Sequence, residues 1–359
     1  MSLGADSLTA GSVTAPVAVE PVITLTPGGS VWVHWSYNPL IWGGLALMLW
    51  LFLRGMKVRG IPFASTQAIS FLFGLALIWL MLITPLDYIA RHLFGMRQGQ
   101  ILVLHIIAPI AIFFAAPQAT LFAGMPRRMR HLVLAPMLRD RALRQVGRAL
   151  SQPVVATALY ILSLTLWLLP PLQNAAVLHP GIGRLMVATM LLTGCALFRI
   201  IFDPRDEPQG LGFGYRQMII ATLIITHIGT GAVISLTSRA LYPAYDQVGR
   251  LFGIAALPDE TNGGFLIWVP SALVLALAVL LVMHRWNGAE HLRWKRTGTH
   301  LPMTGFGNLI SPQTAEELWM LVTPRNRKVG IGLGLVAVMM FVMIMGMAQM
   351  VHMASAGAP

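Results

Sequence analysis

A chain of 359 residues, 56% of them apolar and only 11% charged, with mean hydropathy +0.70, is too oily for a soluble domain and too poor in charge for a disordered one. Its formal net charge of +12 would suggest nucleic acid in a soluble protein, but here the excess Lys and Arg has a topological origin, and no nucleic-acid partner is expected. The composition is that of an all-α, polytopic bundle whose solvent is the lipid bilayer, and the lone Cys195 excludes internal disulfides and cysteine-pair metal motifs.

Residues 1–30 carry no Lys or Arg, so they lack the positive start of a secretory signal and read as a disordered, non-cytoplasmic tail. Apolar runs long enough to cross the bilayer follow at about eight places. They run from Asn38 to Leu53, Thr66 to Ile83, Gln100 to Phe122, Pro153 to Leu169, Gly183 to Phe202, Arg216 to Thr237, Gly263 to Met283 and Gly330 to Val351. The first is short unless Val31 to Tyr37, with Trp32 and Trp35, extends it as an interfacial aromatic collar.

Basic residues accumulate on the cytoplasmic side of membrane proteins. Arg54, Lys57 and Arg59, seven arginines between Arg127 and Arg148, then Arg199, Arg205 and Arg216, and seven more basic residues from Arg285 to Lys328 account for 20 of the 25 Lys and Arg. All fall in alternate loops, which puts both termini on the non-cytoplasmic side. The run from Arg127 to Arg148 alternates arginine with apolar residues and reads as an amphipathic helix on anionic lipid. The resulting organisation is a tail over 1–30, a seven-helix membrane domain over 31–286, a cytoplasmic interfacial segment over 287–328 and a Met-rich C-terminal helix over 329–359.

Nothing here reads as an enzyme. There is no phosphate-cradling loop, no acid pair placed for hydrolysis and no nucleophile elbow, and GLGFG at Gly210 to Gly214 follows a membrane helix, so it is a turn. Ionisable residues gather instead between Thr84 and Pro117, where a polar crossing with Asp87, Arg91, His92, Met96 and Arg97 leads into a helix carrying His105. An imidazole inside a span marks a functional-site hypothesis, the plain alternative being a hydrogen bond to a neighbouring helix. The same two readings apply to His227 in span six. His92 and Met96 are four apart, on one face if that stretch is helical, and an imidazole with a thioether suits Cu(I). Outside the second half lie His179 and a long loop with Tyr242, Tyr245, Asp246, Asp259 and Glu260, the last two either metal ligands or anchors to backbone N–H groups. The last span has a stripe of Met339, Met343, Met347 and Met350 leading to His352 and Met353, which reads either as adaptable packing or as a soft-metal path.

These residues resemble a known group. The order TPLD at Thr84 to Asp87, the AP-containing helix from His105 to Pro117, Trp167 to Pro170, Leu178 with His179, YPAY at Tyr242 to Tyr245, and DETNGGFLIWVP from Asp259 to Pro270 is similar to the CtaG family of cytochrome c oxidase assembly proteins of bacterial plasma membranes. The resemblance spans Pro39 to Trp286. It implies a non-enzymatic, multi-pass inner-membrane factor that works with oxidase subunits or other assembly factors in maturing a haem-copper oxidase, with a part in copper supply. On that reading His105 and His179 lead the metal candidates; His92, Met96, His227, Asp259, Glu260, Met350, His352 and Met353 follow. The chain departs from the family pattern at Arg97 to Ile101, where a histidine-rich run is usual, at Leu168 in place of a His, at Thr261 and Asn262, and in its eighth span. Two other classes stay open: a transporter for copper or a small solute, which needs polar groups continuous across the membrane, and a haem-binding redox protein, for which His105 and His227 are the pair on offer.

Overall fold

The computed structural model describes residues 31–205, 210–297 and 315–356. Among these there is helix and no strand. The principal helices are α1 (Pro39–Arg59), α2 (Thr66–Ile83), α3 (Leu86–His92), α4 (Phe94–Phe114), α5 (Gln118–Gly124), α6 (Arg141–Ala149) and α7 (Pro153–Leu168). Then come α8 (Pro170–Leu178), α9 (Pro180–Ile201), α10 (Phe213–Ser235), α11 (Ala244–Gln247), α12 (Ala256–Thr297) and α13 (Ala315–Ala356).

Seven of these are long and apolar enough to cross a membrane, or eight if the bent pair α6 and α7 counts as one span. The protein is a membrane protein. The fourth expected span is the bent one: α7 is only 16 residues long and meets α6 at 81°. The first span needs no aromatic collar, because α1 runs on past Leu53 to Arg59. Span three starts earlier and stops earlier than its hydropathy suggests, since Ala116 at φ 46 breaks the chain before α5. Residues 1–30 lie outside the described residues. The described parts of the interfacial segment read over 287–328 belong to two long helices, the end of α12 and the start of α13.

Side-chain chemistry sets the helix ends. Asn38 and Ser65 accept from Leu40 N and Ala68 N and so cap α1 and α2. At the arginine-rich end Arg216, 1% exposed, donates to the carbonyls of Ile201, Asp203, Arg205 and Leu211 at 2.7–3.1 Å. One guanidinium thus satisfies carbonyls that α9 and its following turn leave without an intrahelical donor. Arg285 on α12 reaches the carbonyls of Phe114 and Phe202 in the same way.

Helix α4 is not regular. Leu102–Ile107 form a π-helical turn, and the reason is Pro109: its ring nitrogen cannot donate to the carbonyl four residues back, that of His105. The wider turn absorbs the misfit and shapes the backbone at His105. Two apolar cores flank this point. One holds Tyr160, Leu197, Phe198, Ile219 and Leu275 toward the arginine-rich end; the other holds Phe94, Leu168, Met190, Tyr242 and Tyr245 toward the opposite end. The most extensive pairing is α10 with α12, and α13 packs on α7 and α10, with Gly332 against Val154 and Gly229 against Ile344.

Helices α1 and α5 cross backbone to backbone. A Cβ on Gly124 would overlap the carbonyl of Leu51, and one on Gly55 the carbonyl of Thr120. Gly124→Val should therefore cost about 1–3 kcal/mol or more, read as a lower unfolding free energy of the purified protein in micelles. Gly43→Ala, where nothing lies within 4 Å, should not lower it; equal losses in both variants would contradict the close crossing.

Candidate functional site

The polar groups sort into two sites. The first is an ionic lock at the end opposite the arginine-rich loops. Asp259 lies in the first turn of α12 and Glu260 follows it, so neither is in the loop before the helix. The Asp259 carboxylate accepts from the backbone N–H groups of Phe94 at 2.8 Å and Gly95 at 2.9 Å, so it caps α4 from 165 residues away in sequence. Glu260 does the same for Leu241 and Tyr242, at 2.6 and 3.0 Å. Between the two stands Arg250, whose side chain is 6% exposed: Nη1 is 2.5 Å from Asp259, Nη2 3.4 Å from Glu260 and Nε 2.6 Å from Asp246.

The YPAY segment completes the lock. Tyr242 donates its O–H to the carbonyl of Leu168 at 2.8 Å, closing the C-terminal end of α7, and its ring stacks on Phe94 with centroids 4.4 Å apart. Tyr245 accepts from Gln173 at 2.9 Å. Burial pushes the Tyr242 phenol well above its ordinary range, and the Glu260 carboxylate adds to the effect. A Cβ on Gly263 would overlap the Phe94 ring, so the glycine is what lets α12 close on α4. Beside the lock, Asp87 pairs with Arg91 and accepts from Gln100 at 2.9 Å, and Gln100 in turn accepts from Arg97 at 2.5 Å.

The second site lies inside the bundle. His105, fully buried, stacks on Tyr160 with centroids 3.7 Å apart and planes 17° apart. The Tyr160 hydroxyl is 3.1 Å from His227 Nε2, and His227 Nδ1 is 3.2 Å from the carbonyl of Ile267. A carbonyl only accepts, so His227 carries its proton on Nδ1 and takes the Tyr160 O–H at Nε2. The two histidines are thus joined by a tyrosine rather than set at unrelated depths. The gap they border has room for about one water molecule, far too little for a macrocycle between them.

The remaining sequence candidates are scattered. His179 is exposed at the start of α9. His92 is half-buried, and its Nδ1 lies 2.9 Å from the Tyr88 carbonyl, with His34 stacked on the far face of Tyr88 at 4.1 Å. Burial holds the His92 imidazole below its usual range, so it is neutral at pH 7, with Nδ1 donating and Nε2 presenting a lone pair. His92 and Met96 do not share one helical face, because Leu93 is extended (φ −133, ψ 126) and separates α3 from α4. Met343 accepts from Thr165 at 3.6 Å, Met347 is buried, and Met339 packs on the first core, so this part of the stripe faces the bundle. The side chains of Met350, His352 and Met353 lie outside the described residues. Among the described residues no group of three His, Cys, Asp or Glu is placed to hold a metal ion. Sequence reasoning missed Arg250, Tyr160, Gln98 and His34. Only Arg250 had a signal, as a cation in a loop otherwise rich in acid.

The sequence model of the cytochrome c oxidase caa3 assembly factor family (Caa3_CtaG) matches residues 46–288, two thirds of the chain. The chain belongs to that family. The match takes in both sites, from α1 through the membrane-crossing part of α12, and leaves out α13. No curated protein and no solved structure matches the chain. The family is described as one of cytochrome c oxidase caa3 assembly factors.

Arg250→Met would leave Asp259 and Glu260 buried without their cation, a change that typically costs about 3–5 kcal/mol. Arg91→Met removes a pair whose arginine is 50% exposed and should cost about 0–1 kcal/mol. Chemical unfolding of both variants in the same detergent checks this, and similar costs for the two would refute the lock.

Proposed function

We propose that this protein is a bacterial inner-membrane assembly factor for a haem-copper cytochrome c oxidase, working by contact with oxidase subunits or with other assembly factors. The single observation that carries the reading is the family match over residues 46–288. The loop arginines support an orientation with both termini and the ionic lock on the non-cytoplasmic side. On that side the lock presents a surface of fixed shape, since three helix ends and one loop are tied to a single guanidinium.

Copper handling is the finer part of the proposal. His92 supports it with its free Nε2 lone pair on a neutral ring, and His179 with its exposure at the same end. Neutral imidazole nitrogen is a ligand for copper, and Met350, His352 and Met353 on the last helix are the soft donors named by the sequence for that end. His105 and His227 stand apart from this set as an internal pair. The Asp259 and Glu260 carboxylates already serve backbone N–H groups and Arg250, so the proposal gives them the lock and not the metal.

Tagged protein from mildly solubilised host membranes should bring down newly made oxidase subunits. Titrated with Cu(I), it should bind the metal with an affinity that falls in His92→Ala and His179→Ala. Copurification without copper binding would leave a scaffold; absence of oxidase subunits would remove the assembly reading.

A further inference from the structure

The fully buried His105 ring packs against α9 and Tyr160. Its Nε2 lies 3.2 Å from Thr193 Oγ1, and the Thr193 hydroxyl has its own acceptor, the Thr189 carbonyl, at 2.8 Å. With that proton spent on Thr189, Thr193 accepts and His105 Nε2 is the N–H donor. The neutral ring therefore bears its lone pair on Nδ1. The Nε2–Cδ2 edge faces α9, where a Cβ on Gly194 would come 3.1 Å from Cδ2, and one ring face is covered by Tyr160.

The internal gap beside the ring is lined by Gln98, His105, Leu164, His227, Ile267 and Ser271 among others, none of them on α9. Gln98, 2% exposed, lines the same gap, and neither its Nε2 nor its Oε1 has a partner within the protein; His105 Nδ1 has none either. His227 contributes no free nitrogen, both of its own being taken by Tyr160 and Ile267.

A ligand that fits must be the size of one water, donate to an imidazole lone pair and bond a carboxamide. Cu(I) is a poor match: the lining offers one free nitrogen and an amide oxygen, with no thioether and no second free imidazole. A neutral water matches in size and in bonding, since buried waters typically make two to four hydrogen bonds to polar groups otherwise left unsatisfied. We propose that Gln98 and His105 hold one internal water in the middle of the bundle, which donates a hydrogen bond to the His105 Nδ1 lone pair. The inference rests on the geometry of this gap and not on the copper reading.

Water-edited solid-state NMR of the protein labelled with 15N-histidine, in bilayers, tests it, with the His105 signal assigned by its loss in His105→Phe. Magnetisation should pass from water to the His105 ring in the parent and be lost in Gln98→Leu, or in the less bulky change of shape Gln98→Met. A His105 ring that receives none in the parent, or an unchanged transfer in a folded Gln98 variant, would overturn the proposal. So would a stoichiometric shift of the His105 nitrogens on adding Cu(I), which would make the gap a metal site.

Discussion

One buried guanidinium organises the end of the bundle opposite the arginine-rich loops. Arg250 by itself would be costly in so dry a place; it is tolerated because Asp259, Glu260 and Asp246 surround it. The carboxylates, in turn, would be costly without backbone N–H groups to fill their other lone pairs, and those groups are the orphan donors at the start of α4 and in the YPAY segment. Each partner therefore removes the penalty of another. The result joins segments far apart in sequence, and it explains why the acidic pair, the glycine pair after it and the YPAY run occur together in one chain.

The same logic recurs at the arginine-rich end with simpler means. There Arg216 and Arg285 donate to backbone carbonyls at the ends of α4 and α9 and stack on Phe213 and Phe114. In a bilayer every helix end must find partners or reach water, and arginine, with five donors in a fixed fork, can satisfy several carbonyls at once. Some of the basic excess that sets topology is therefore also structural. Between the two ends lies the buried His105, Tyr160 and His227 group, whose ring tautomers follow from a threonine on one side and a carbonyl on the other.

Much of the fold was legible in the sequence, because a 30 Å hydrocarbon layer imposes span lengths that composition alone reveals. Seven of the expected spans have a helix long enough to cross, and the fourth is the bent pair α6 and α7. The boundaries failed where local chemistry overrode hydropathy. Helix α12 begins at Ala256 rather than Gly263, and the Pro-Asp-Glu run at Pro258 to Glu260 was a readable helix start, since acidic residues favour a first turn. Leu93 breaks the helix between His92 and Met96, and nothing in the four-residue spacing could show it. Tyr160 sits between two histidines 122 residues apart in sequence; such a contact depends on tertiary packing, which no periodicity carries.

Family membership and structure together describe a protein with a buried ionic lock at one end, an internal polar group in the middle and a helix, α13, beyond the family's matched region. The central claim is that this molecule serves oxidase maturation. The most direct measurement is the reduced-minus-oxidised haem spectrum and oxidase activity of membranes from host cells lacking the gene, with subunit levels followed alongside. The account predicts subunits present but spectrally immature and inactive, restored by the intact gene; a normal spectrum and normal activity in the deletion strain would contradict it.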